Sequence, residues 1–109
     1  MYHQIVEILK AEISSYYTKD DLPVSWNESA LRGDIPRMAS DSADRLRRRA
    51  GVNNVLVSDL VDTIDHVEKT ALSDFALSVS NIYTPDWNTP ENQAVLKFIF
   101  SLISNHLRA

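Results

Sequence analysis

Three polar side chains sit where helical spacing should place apolar ones. At about 100° per residue, Glu12 falls between Ile8 and Tyr16, Glu68 between Ile64 and Val79, and His106 between Val95 and Ile99. A carboxylate drawn into a core has its pKa raised, which is how enzymes prepare a general acid. Glu12, Glu68 and His106 are therefore the candidate acid–base cluster. The plainer reading is structural: stripe-edge side chains reaching out to water, or buried groups satisfied by an arginine from elsewhere in the chain.

A second set of acids, Asp59, Asp62, Asp65 and Glu68, lies in the first half of one expected helix. Acids there suit the positive end of the helix dipole, and they also form a patch able to meet a basic partner. His66 follows Asp62 by four residues, and His3 precedes Glu7 by four. Each pair offers two metal ligands on one helix face without a third, so surface ion pairs are expected and no metal.

Bases cluster in residues 32–51, while the segments on either side hold a surplus of acids. The block Arg45, Arg47, Arg48 and Arg49, helped by Arg32 and Arg37, could bind phosphate or nucleic acid. Against this, the Asp41–Arg45 and Asp44–Arg48 spacings favour ion pairs along one helix. The chain is also acidic overall, with 15 Asp and Glu against 11 Lys and Arg and a net charge of −4. Nucleic-acid domains carry the opposite balance.

Other chemistries are excluded by what is missing. With no cysteine there is no disulfide, thiolate metal site or thiol nucleophile. There is no Gly-rich phosphate loop, no Gly-x-Ser-x-Gly elbow and no His-Glu-x-x-His, so no cofactor is expected. The closely spaced Arg–His pair of small HEPN-type nucleases is also absent. Asn27-Glu28-Ser29 and Arg32-Gly33-Asp34 match short export-related motifs by chance. Glu7, Lys10 and Glu12 interrupt the first apolar stretch, so no signal-peptide core is seen and a cytoplasmic protein is expected.

The elements that must position these groups read as helices. The 109 residues make one domain, 1–109, and only 2 Gly and 4 Pro argue against a turn-dense β fold. Residues 2–17 place Ile5, Ile8, Leu9, Ile13 and Tyr16 on one face. Residues 22–35 read as a loop, anchored by Trp26, with one helical turn at 28–31. Residues 36–50 form a helix that begins at Pro36 and ends at Gly51, with a thin face of Ile35, Ala39, Ala43, Leu46 and Ala50.

Residues 59–83 predict one long helix, capped by Ser58 or Asp59 and stopped before Pro85. Its stripe is Leu60, Ile64, Val67, Ala71, Phe75 and Ile82. The last helix opens on Thr89-Pro90-Glu91 and is apolar over more than half its circumference. Such a helix is central to its own domain or covered by another chain. The fold expected is a compact all-α bundle of four main helices plus a short helical turn.

The role expected from these features is a non-enzymatic, acidic protein-binding module. Size and charge balance resemble those of bacterial immunity proteins, which implies an inhibitor covering the active-site surface of a basic toxin such as a nuclease; no diagnostic motif assigns a family. Asp59, Asp62, Asp65 and Glu68 would steer the encounter, and Trp26, Trp87, Tyr16 and Tyr83 are the candidate anchors. Trp87 is expected to be the most exposed. The alternatives are a nucleic-acid regulator built on the arginine block, an enzyme built on Glu12, Glu68 and His106, and a homodimer sharing the last helix.

Overall fold

A computed structural model describes residues Met1–Ala109. It contains α1 (Tyr2–Tyr16), a π-helical turn (Ala30–Asp34), α2 (Ile35–Val52), α3 (Val57–Thr70), α4 (Leu72–Val79) and α5 (Pro90–Arg108), with no strand. The all-α bundle is as expected. One contiguous core draws side chains from all five helices. No helix is long and apolar enough to cross a membrane.

The last helix is the centre. Val95, Leu96, Ile99, Phe100, Ile103 and Leu107 are buried, and α2, α3 and α4 pack around them. Helix α1 closes the other side by packing on α2, α3 and α4. Thr89 caps α5 by accepting a hydrogen bond from the Asn92 N–H, and Pro90 occupies the first turn, as the sequence predicts.

The helical turn near residue 28 is not separate from α2. Residues 28–29 are already helical, and the π-turn carries the chain straight into α2. Pro36 supplies the reason. Its ring has no N–H and would crowd the carbonyl four residues back, so an ordinary helical turn there is disfavoured. The wider turn bonds the Ile35 N–H to the Ala30 carbonyl instead.

Gly51 does not end α2; the helix runs through it to Val52. The left-handed residue is Asn54, at φ 56°. Asn tolerates that geometry, and its neighbour Asn53 donates its side-chain amide to the Arg49 carbonyl.

The single long helix expected over residues 59–83 is two helices. It starts at Val57 with Leu56 at the cap, so neither Ser58 nor Asp59 caps it. It breaks at Ala71, whose φ is −137°. The Thr70 hydroxyl bonds back to the His66 carbonyl, a contact that bends helices. Backbone bonding continues through the break, from the Ala71 N–H to Val67 and from the Phe75 N–H to Ala71. The bend brings Phe75 edge-on to Phe100 of α5, at 5.1 Å.

Pro85 is not what stops α4, which has already ended at Val79. Asn81 takes the Tyr83 N–H on its side chain, and Ser80 takes the Trp87 N–H. These bonds compete with helix continuation. Ile82, placed in the expected stripe, is consequently exposed.

Thr89→Ala is expected to cost about 1 kcal/mol by leaving the first turn of the central helix uncapped. Urea unfolding checks this: the midpoint should fall while the slope stays unchanged.

Candidate functional site

Glu12 is 1% exposed, so it does lie in the core. Its environment is an ion-pair network. Arg45 of α2 donates from Nε at 3.0 Å and from Nη2 at 2.8 Å, both to Oε2. Ser42 donates to the same oxygen at 2.8 Å. Because that serine proton is committed to Glu12, the Tyr17 hydroxyl, 2.8 Å away, donates to Ser42. Oε1 has no hydrogen-bond partner.

Arg45 is held from its outer side as well. The guanidinium carbon lies 3.7 Å from the centre of the Tyr16 ring. Burial opposes the charge on Arg45, but its hydrogen bonds and attraction to Glu12 outweigh this and raise its pKa. Burial above all, with nearby Glu12 adding to it, pushes the Tyr17 hydroxyl well above its ordinary value of 10.0. The expected face of α1 is corrected by one residue here: Tyr17 is fully buried, whereas Tyr16 is 43% exposed.

Glu68 and His106 do not join this network. Glu68 is half-buried, accepts a hydrogen bond from Ser101 at 3.4 Å, and belongs to the α3–α5 seam. His106 is exposed near the end of α5, where its carbonyl accepts from Arg47. The three groups sit in three separate places, so they form no acid–base cluster. Glu12 follows the structural alternative, a buried acid met by an arginine from α2.

The arginine block is largely committed within the chain. Arg45 pairs with Glu12, not Asp41, and Arg47 pairs with Asp44, the acid expected to hold Arg48. For Arg45, tertiary geometry overrides the local four-residue spacing because a desolvated carboxylate attracts an arginine more strongly than an exposed one does; the Arg47–Asp44 pair is itself local, three residues apart. Arg32 and Arg37 pair with Glu28 and Asp34. Arg48 and Arg49 alone in the block keep no ion pair.

The acids of α3 divide. Asp65 accepts hydrogen bonds from Ser104, at 3.0 Å, and from Arg108. With Glu68 bonded to Ser101, half of the expected acidic patch is turned toward α5. Asp62 is exposed and Asp59 half-buried, neither in an ion pair. His3 and His66 meet the Tyr2 ring, at 5.7 and 5.6 Å, in place of the pairs expected with Glu7 and Asp62. No group of three His, Asp or Glu is placed to hold a metal.

The tryptophans also differ from expectation. Trp87 is not exposed; it is fully buried. It forms the floor on which half-buried Trp26 stacks, with ring centres 6.3 Å apart. The Trp26 Nε1–H donates to Asn92 at 2.7 Å, which fixes the ring. Trp26 therefore anchors its loop, as expected, and keeps an accessible edge.

A second acidic surface was not anticipated from any one helix. Asp20, Asp21 and Asp41 line a groove of about 340 Å³ with Tyr16, Arg37 and Arg45. Both arginines are paired elsewhere, so the aspartates are in excess. The Asp20-Asp21 doublet was the only sequence signal, and nothing local linked it to Asp41.

Removing one partner of a desolvated pair strands the other. Arg45→Ala is expected to destabilise the fold by about 3–5 kcal/mol, and Glu12→Leu with Arg45→Met to recover most of that loss. Chemical denaturation of the two variants measures both. A raised Tyr17 pKa means the unfolded chain loses that proton first as pH rises. Stability is thus fully present below the ordinary tyrosine value of 10.0 and is lost as pH climbs toward the folded-state value. Tyr17→Phe should show a shallower alkaline loss than the parent in parallel melts.

Neither the sequence nor the structure matches a known protein family, a curated protein or a solved structure.

Proposed function

We propose that this chain is a non-enzymatic, acidic protein-binding module, most concretely an immunity-type inhibitor that covers the active-site surface of a basic toxin such as a nuclease. The observation behind this reading is how charge is apportioned. The six internal ion pairs each join one acid to one base, which leaves nine acids and five bases without a partner and so the net charge of −4. Five of these acids lie on two surfaces: Asp59 and Asp62 at the start of α3, and Asp20, Asp21 and Asp41 around the groove beside Tyr16. Such fields speed the approach of a positively charged partner, while a few aromatic contacts hold the complex.

The rival readings have less support. A nucleic-acid regulator would have to work with Arg48 and Arg49, because Arg45 and Arg47 have internal partners. An enzyme would need Glu12, Glu68 and His106 within reach of one another, and they are not.

The test is copurification of the tagged chain from its native host, followed by coexpression of whatever binds. The expected partner is basic, arrests growth when produced alone, and is tolerated when this chain is present. Its affinity should fall steeply with added salt. An acidic partner, or turnover of a small molecule by the isolated chain, would overturn the proposal.

A further inference from the structure

Two loops meet at one end of the bundle and leave apolar side chains uncovered. Val24, Ile82 and Tyr83 are 107%, 78% and 69% exposed. Ile82 and Tyr83 are tied back to the first loop. The Lys19 N–H donates to the Tyr83 carbonyl at 2.8 Å, and the Lys19 ammonium reaches the Ile82 carbonyl at 3.3 Å. Thr84, buried beneath, accepts the Asn81 N–H. Beside them lies a groove of about 270 Å³ lined by Pro23, Val24, Trp26 and Pro85. Trp26 is already locked onto Trp87 and Asn92. The apolar surface is thus preorganised, and a partner would lose little loop entropy in using it.

The rim chooses the partner. Asp20 and Asp21 follow Lys19, and Asp41 faces them across the adjoining groove. Asp86 follows Pro85 on the other loop. All four are exposed and none is in an ion pair. Of the nearby bases, Arg37 is paired with Asp34 and Arg45 with Glu12; Lys19, bonded to the neutral Ile82 carbonyl, keeps its charge against the four aspartates. An apolar centre with a rim of four aspartates and one lysine is net acidic, and it repels a second copy of itself and an anionic lipid surface alike. It complements a protein face with an apolar centre and a Lys/Arg rim.

We infer that this loop end, with Tyr83, Val24 and Trp26 at its centre and Asp20, Asp21, Asp41 and Asp86 around it, is the surface that docks a basic protein. The inference rests on the proposed binding role and places its interface away from α3.

A photo-crosslinking phenylalanine analogue placed singly at Val24, Tyr83 or Asp62 in the native host tests it. The expected result is an adduct with a basic protein from Val24 and Tyr83 and none from Asp62. With the purified pair, Asp20→Lys with Asp21→Lys should weaken binding by about tenfold or more, and Tyr83→Ser should weaken it independently. Circular dichroism confirms that these exposed substitutions leave the fold intact. An adduct from Asp62 alone, or a dissociation constant unchanged by the double charge reversal, would overturn this surface while leaving the binding role standing. Adducts only with lipid or with another copy of the chain would overturn it too. No adduct at any of the three positions would overturn this surface, while the binding role stands or falls on the copurification.

Discussion

A helix that is apolar around most of its circumference cannot be satisfied by one neighbour. Helix α5 imposes that constraint on the whole bundle. Val95, Leu96, Ile99, Phe100, Ile103 and Leu107 point in too many directions for a two-helix contact, so α2, α3 and α4 each take part of the surface. Each fully buried side chain of this kind is worth about 1.5–3 kcal/mol. Beyond the break at Ala71, α4 sets Phe75 edge-on to Phe100 and so covers a further part of the central helix.

The same helix decides the fate of several charges. Ser101, Ser104 and Arg108 lie on its polar strip, and they draw Glu68 and Asp65 inward from α3. Across the molecule, α1 brings a carboxylate to the α2 interface and Arg45 follows it there. A buried pair of this kind adds little net stability over a well-packed apolar pair, but it is costly to break. Its value is in register: α1 can slide along α2 only by separating Glu12 from Arg45 and Ser42, and Tyr17 from Ser42. The basic block thereby loses one arginine to structure, together with one acid from α1, so the net charge of −4 is left to the rest of the chain.

What remains for interaction lies at loops and at the exposed side of α3. Loops held by a scaffold are where binding groups commonly sit. Here the scaffold includes the stacked Trp26 and Trp87, the Asn92 side chain and the buried Thr84, which together keep two loops in a fixed relation. Aromatic mass in the loops serves first as internal support, and only the outer ring of the pair is left with an accessible edge.

Helix periodicity was legible because it depends on local spacing. Most of each buried face of α2 and α5 was readable, and so was the Thr89 cap, since each is set by neighbours within one or two turns; Met38 and Ser42 of α2 and Ser104 of α5 are buried in addition. The dual reading of Glu12 was legible too; which alternative held was not, because its partner is 33 residues away in the chain. The exposure of Trp87, the pairing of Arg45, the left-handed turn at Asn54 in place of Gly51, and the joining of Asp20 and Asp21 with Asp41 all turn on contacts between distant segments. Sequence by itself determined that the chain is helical and, for the most part, which sides turn inward, since backbone geometry repeats every few residues; it did not determine the break at Ala71 or the burial of Tyr17 in place of Tyr16. The tertiary structure alone decided which charges stay free, since desolvation and pairing energies depend on what arrives from across the fold.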